Sequence, residues 1–155
     1  MEFYYPNRTN DFWPMMGLIF FGDRYALYDE GHKNFRLQEI KRLLEEKGIA
    51  LSDTGYRIRR LKGNASDKFL EIVEPANLEA LLKRIPDCRA IATTGEKAAE
   101  TVAVLTDTTA PKIGEYTITK TGLEIWRMPS TSRAYPLPLQ QKAAVYEKMF
   151  HHLNI

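Results

Sequence analysis

Apolar residues recur along the chain at two spacings, and their alternation predicts the elements. Residues 13–19 form an apolar helix that Asn10 can cap, with Pro14 tolerated in its first turn and Gly22 as its stop. Phe35, Leu37, Ile40, Leu43 and Leu44 have helical spacing, interleaved with Lys41, Arg42, Glu45 and Glu46, and Gly48 ends that helix. Ile49-Ala50-Leu51 then reads as a buried strand. Asn77 can cap a helix carrying Leu78, Leu81, Leu82 and Ile85. Residues 89–94 read as a short apolar strand broken at Gly95, and the alanine-rich run 96–105 as a helix. Residues 116–119 and 123–126 predict a hairpin, or an edge strand entering a core strand. An amphipathic helix over 139–153 closes the chain, with Ala143, Ala144, Tyr146, Met149 and Phe150 inward. Helices alternating with short strands imply an α/β layer structure with a mainly parallel sheet. The polar connection over residues 52–75 is long for a compact domain and contains Arg57, Arg59, Arg60, Lys62 and Lys68, which could track a phosphate backbone or simply be solvated.

Composition narrows the class. A chain of 155 residues, 44% hydrophobic and 27% charged, can bury one core and is not disordered throughout. A net charge of +2 does not identify a polyanionic partner, because partners respond to local patches. The single cysteine, Cys88, excludes an internal disulfide and a cysteine-based metal site, and reads as a buried or half-buried thiol. No apolar run reaches membrane-spanning length, and residues 17–22 start too late and run too short for a signal peptide. A soluble, cytoplasmic protein without a membrane partner is expected. His151-His152 has no evident ligand partner at metal spacing and reads as a solvated helix end, so no metal or other cofactor is expected.

The richest chemistry lies in residues 127–136, where Ser130, Thr131, Ser132, Arg133 and Tyr135 occupy a proline-bounded turn after a predicted strand. Ser52-Asp53-Thr54 and Thr93-Thr94-Gly95 also follow predicted strands, and parallel strands would put all three segments on one sheet edge, where open α/β folds bind ligands. Thr94-Gly95 opening a helix can offer backbone N–H groups to an anion. A fourth segment, residues 4–14, interleaves aromatic rings and amides with Arg8: rings stack on bases, amides read an edge or orient water, and arginine contacts phosphate. Asn10 is a helix cap here, which does not exclude a second task.

Tyr4-Tyr5 followed by Asn10-Asp11-Phe12-Trp13-Pro14, together with Met128-Pro129-Ser130-Thr131-Ser132, resembles the uracil-DNA glycosylase superfamily. The nearest branch is the one that includes hypoxanthine-DNA glycosylases, with hallmarks resembling "YY-(four residues)-N-x-FW" and "LPSTSPA". Residues 48–54, 64–67 and 92–95 also resemble family segments, in the expected order. The resemblance implies one domain over 1–155 with a three-layer α/β/α fold and a short, mainly parallel sheet. It implies that Tyr5 stacks on an extruded base, that Asn10 positions the attacking water, and that Ser52 and Asp53 lie near the base pocket. It makes Pro129, Ser130, Thr131, Ser132 and Arg133 a loop that enters DNA beside the vacated base, with Arg8 a further phosphate contact. Arg133 stands where the family often has proline, which favours phosphate contact over insertion. The family also has a central strand and a glycine/proline loop upstream of the Tyr-Tyr segment, a region this sequence lacks. A late start or truncation is the expectation, ahead of a natural shortened homologue, with another segment or a second copy in a homodimer covering the exposed sheet edge.

The implied activity is hydrolysis of the N-glycosidic bond of a flipped deaminated base, uracil or hypoxanthine, in damaged DNA. Such chemistry suits a neutral amide: positive charge develops on the sugar and negative charge on the leaving base, and fixed dipoles stabilise both. The alternatives are a non-catalytic nucleic-acid-binding module of the same fold, or an α/β domain that binds a free nucleotide through Thr94-Gly95.

Overall fold

The computed structural model describes residues 10–51, 55–60, 70–75 and 78–155, with backbone alone for 55–60 and 70–75. The chain divides into two compact units, Met1–Ser52 with Thr131–Ile155, and Asp53–Ser130. The described elements are helices with short strands, so the class is α/β.

The first unit is helical, with α1 (Phe12–Phe21), α2 (Leu37–Lys47) and α5 (Leu139–His152). Helix α1 begins after Asp11, with Pro14 in the first turn, where its missing N–H leaves no intrahelical bond unmade. It stops at Gly22, whose φ of 72° is left-handed and whose N–H bonds the Leu18 carbonyl. The chain then returns close along α1: a Cβ on Gly17 would lie 2.7 Å from the Asp23 carbonyl oxygen. Helix α1 packs on α5, with the Phe20 and Phe150 rings 5.2 Å apart. Buried apolar residues of this unit include Trp13, Met15, Met16, Leu27, Ile40, Leu43, Tyr146 and Met149.

Two expectations for this unit are corrected. Ile49-Ala50-Leu51 is irregular and not a strand. Gly48 ends α2 in a left-handed turn that brings the Ile49 N–H back onto the Leu44 carbonyl, so this segment completes a helix cap. On α5, Ala144 is exposed, and Lys142 is buried alongside Ala143, Tyr146, Met149 and Phe150.

Between α1 and α2 the chain is held by local bonds. The Asp29 carboxylate accepts the Lys33 and Asn34 backbone N–H groups, and Arg36 Nε donates to the Tyr28 carbonyl at 2.6 Å. The Lys33 N–H, helped by the Asn34 groups, holds the Asp29 carboxyl below the usual carboxylate range.

The second unit contains β1 (Gly55–Arg60), β2 (Leu70–Pro75), α3 (Leu78–Arg84), β3 (Ala90–Thr94), α4 (Glu96–Leu105), β4 (Tyr116–Ile118) and β5 (Glu124–Met128). Strands β1 and β2 form an antiparallel ribbon, so the supposed long polar connection contains two strands. Arginine and lysine hid the strand-forming Tyr56, Ile58, Ile72 and Val73 there. The other sheet has the order β3-β5-β4: β3 runs parallel to β5, and β4 pairs antiparallel with it. This sheet is mixed, not mainly parallel as expected. The five-residue link between β4 and β5 closes through Thr119 and Gly122, and so short a link permits only antiparallel neighbours. Cys88 is half-buried and its Sγ donates to the Ala90 carbonyl. Among the described residues no helix is long and apolar enough to cross a membrane.

Candidate functional site

Asn10-Asp11 and Thr131-Ser132, far apart in sequence, are paired in space. Asn10 and Ser132 form an isolated antiparallel bridge, and the Asp11 N–H donates to the Thr131 carbonyl at 2.7 Å. The Asn10 side-chain oxygen accepts the Phe12 N–H at 2.8 Å, supplying the first turn of α1 with an acceptor. Asp11 occupies the N-cap position, yet its carboxylate makes no cap bond. Capping and ion pairing are thus divided between two adjacent residues, each able to cap by type.

The Asp11 carboxylate is held by two cations. Arg133 Nε donates to Oδ1 at 2.9 Å and Lys142 Nζ to Oδ2 at 3.0 Å. Lys142 Nζ also donates to the Ser132 carbonyl at 3.0 Å and lies 6.0 Å from the centre of the Tyr135 ring. The Lys142 side chain has 0% exposure and Asp11 9%, whereas Arg133 keeps 49%. Buried charges survive only when paired and hydrogen-bonded, and this carboxylate meets both conditions.

Residues 132–135 form a tight turn. The Tyr135 N–H donates to the Ser132 carbonyl at 3.0 Å, and the Ala134 N–H to Ser132 Oγ at 3.2 Å. Arg133 stands at the tip. Its Nε reaches back to Asp11, and its terminal guanidinium nitrogens donate to no other described residue.

Within the second unit, the parallel register of β3 and β5 puts Thr94-Gly95 beside Met128-Pro129-Ser130 at one sheet edge. Thr93 Oγ1 donates to the Trp126 carbonyl at 2.8 Å, and the Gly95 N–H donates to the Met128 carbonyl at 3.1 Å. Gly95 has a φ of 98°, a conformation that favours glycine, and Glu96 places an acidic side chain in the first turn of α4. The Gly95 N–H is committed to the sheet, and the first turn of α4 places Glu96 beside Lys97. Pro129 is buried and Ser130 half-buried.

Of the residues singled out from sequence, Asn10, Thr131, Ser132 and Arg133 come together in the first unit, and Pro129 and Ser130 end the second. Tyr5, Arg8, Ser52 and Asp53 lie outside the described residues, as do Lys62 and Lys68. Arg57, Arg59 and Arg60 are on β1. Asp11 and Lys142 are the residues that sequence reasoning passed over. The available signal was Lys142 sharing a helical stripe with Leu139, Tyr146 and Met149, since a lysine on an apolar face needs a buried anion.

Among the described residues no group of three or more histidine, cysteine, aspartate or glutamate side chains could hold a metal ion. His151 does have an acidic neighbour one turn back: its Nε2 lies 3.8 Å from Glu147, and both side chains are exposed. Comparison with protein-family models, with curated proteins and with solved structures returns no match.

Proposed function

We propose that this chain is a monofunctional DNA glycosylase that hydrolyses the N-glycosidic bond of a flipped deaminated base, uracil or hypoxanthine. The observation that carries the proposal is the pairing of Asn10-Asp11 with Thr131-Ser132. These are the two segments with the strongest resemblance to the uracil-DNA glycosylase superfamily, and a functional site requires them to meet.

The chemistry follows from the residues. An Asn10 oxygen bonded to the Phe12 N–H has a fixed orientation, and its amide nitrogen can still donate to water or to a base edge. A neutral amide does this without titrating. Asp11 is neutralised by Lys142 and Arg133, so its carboxylate supports the loop and is not the general base. By resemblance, Tyr5 stacks on the flipped base and Ser52 and Asp53 line its pocket. Arg133, exposed at the tip of its turn, contacts a backbone phosphate, and by the same resemblance Ser130, Thr131, Ser132 and Arg8 are further DNA contacts.

The test is a glycosylase assay on duplexes carrying uracil, hypoxanthine or xanthine, with abasic sites as the readout. Asn10→Ala is expected to lower the single-turnover rate roughly 100-fold, the scale of losing one preorganised polar group. Wild-type protein that releases no base from any of the three duplexes refutes the proposal. A second reading, a nucleic-acid-binding module without catalysis, is favoured by the cap bond of Asn10, which explains that side chain without chemistry. It predicts salt-dependent duplex binding with no abasic product.

A further inference from the structure

We infer that Lys142 is a positioning residue for DNA engagement, holding Asp11 and the Ser132 carbonyl so that the Arg133 guanidinium is preset for a backbone phosphate. This rests on the nucleic-acid function proposed above. The side chain is wholly buried, and its ammonium donates at 3.0 Å to both Asp11 Oδ2 and the Ser132 carbonyl. One cation therefore fixes the residue that anchors Arg133 and the residue that precedes Arg133 in its turn. Among the described residues the second Asp11 oxygen takes only the Nε of Arg133, and the terminal nitrogens are left to a ligand.

The charge balance agrees with an anionic ligand. Asp11 is shared by two cations, so the cluster has a net positive charge, and Arg133 is its exposed member. Without Lys142 the Asp11–Arg133 pair would be neutral and the outward field weaker. Lys142 is unsuited to nucleophilic chemistry itself, because solvent does not reach it and its nitrogen is committed to Asp11 and the Ser132 carbonyl. Its task is to present a different side chain. A long arginine already held at Nε loses less freedom on meeting phosphate than one that must first be ordered.

The experiment titrates a fluorescent, lesion-free DNA duplex with wild-type protein, Lys142→Met, Arg133→Ala and the double variant at several salt concentrations. Circular dichroism selects a temperature at which each variant is folded. Arg133→Ala should weaken binding and reduce the slope of log affinity against log salt by about one. Lys142→Met should weaken binding roughly two- to tenfold, the effect of leaving one long side chain to be ordered by the ligand. That loss should vanish in the Arg133→Ala background. Should Lys142→Met fail to fold, Asp11→Leu with Lys142→Met replaces the whole buried pair by apolar side chains and removes the anchor of Arg133 itself. The cluster keeps its single net positive charge in this double variant, so weakening that disappears in the Arg133→Ala background reports the lost positioning of Arg133 alone. Undiminished binding, or weakening by the same factor with and without Arg133, overturns the inference and leaves the proposed function standing. Wild-type protein with no salt-dependent duplex binding overturns both.

Discussion

Replacing Asp11 with alanine removes the carboxylate between Lys142 and Arg133, and the two losses differ in size. Lys142 has no exposure and, among the described residues, would retain only the Ser132 carbonyl and the distant Tyr135 ring. Removing one partner of a buried ion pair costs about 3–5 kcal/mol, because the remaining charge is uncompensated. Arg133 is half exposed, so its share is discounted to about 0–1 kcal/mol by solvent screening. The expected total is about 3–5 kcal/mol, a large fraction of the roughly 5–15 kcal/mol typical of a domain. Asp11→Asn keeps an oxygen acceptor for one partner and should lose less. Asp11→Leu with Lys142→Met should recover most of the loss, since well-packed apolar replacements for a buried pair are often neutral or better. Urea denaturation followed by far-ultraviolet circular dichroism measures each variant, with a midpoint shift on the order of 1–3 M for Asp11→Ala. An Asp11→Ala protein within about 1 kcal/mol of wild type would refute the reasoning, as would a double variant no more stable than Asp11→Ala.

Gly17→Ala should destabilise although alanine favours helix by about 1 kcal/mol. The new Cβ would meet the Asp23 carbonyl oxygen at 2.7 Å, and a backbone clash of this kind costs about 1–3 kcal/mol. A melting temperature equal to or above wild type would show that the segment at Asp23 yields freely. For Asp29, the lowered pKa means that its stabilising contribution is complete above the ordinary carboxylate value and is lost as pH falls through the lowered one. The stability gap between wild type and Asp29→Asn should therefore narrow as pH falls from about 6 to about 2, and a gap constant over that range would contradict the assignment.

Local signals in the sequence were sufficient where one residue type decides the outcome. Gly22 and Gly48 end helices in left-handed turns, Pro14 sits in a first turn, and alanine-rich 96–105 is helical, all for reasons confined to a few residues. The hairpin of β4 and β5 was legible for the same reason. Long-range pairing decided the rest. Ile49-Ala50-Leu51 has the composition of a buried strand, but Gly48 draws Ile49 back onto α2 before a ladder can form. The strands at 55–60 and 70–75 were obscured because a two-stranded ribbon does not require the apolar run of a buried core strand, and charged residues broke the pattern.

The site divides along the same line. The resemblance grouped Asn10 with residues 131–133 as one expected site, and no local rule pairs positions more than a hundred residues apart. What resemblance did not supply is the physical link between them. Asn10 has the cap-forming amide, so Asp11 next to it is released from the helix end and can meet Arg133 and Lys142. Reversing the pair, Asn10→Asp with Asp11→Asn, keeps both residue types but moves the charge one position. The aspartate would then receive the Phe12 N–H, which suits a helix N-terminus, while Lys142 would face a neutral amide. Composition and net charge are unchanged, so any stability lost in the swapped protein reports the placement of the carboxylate. A loss of about 1–3 kcal/mol is expected, the burden of a buried cation facing an amide and not a carboxylate. A swapped protein as stable as wild type would mean that Lys142 finds its counter-charge elsewhere.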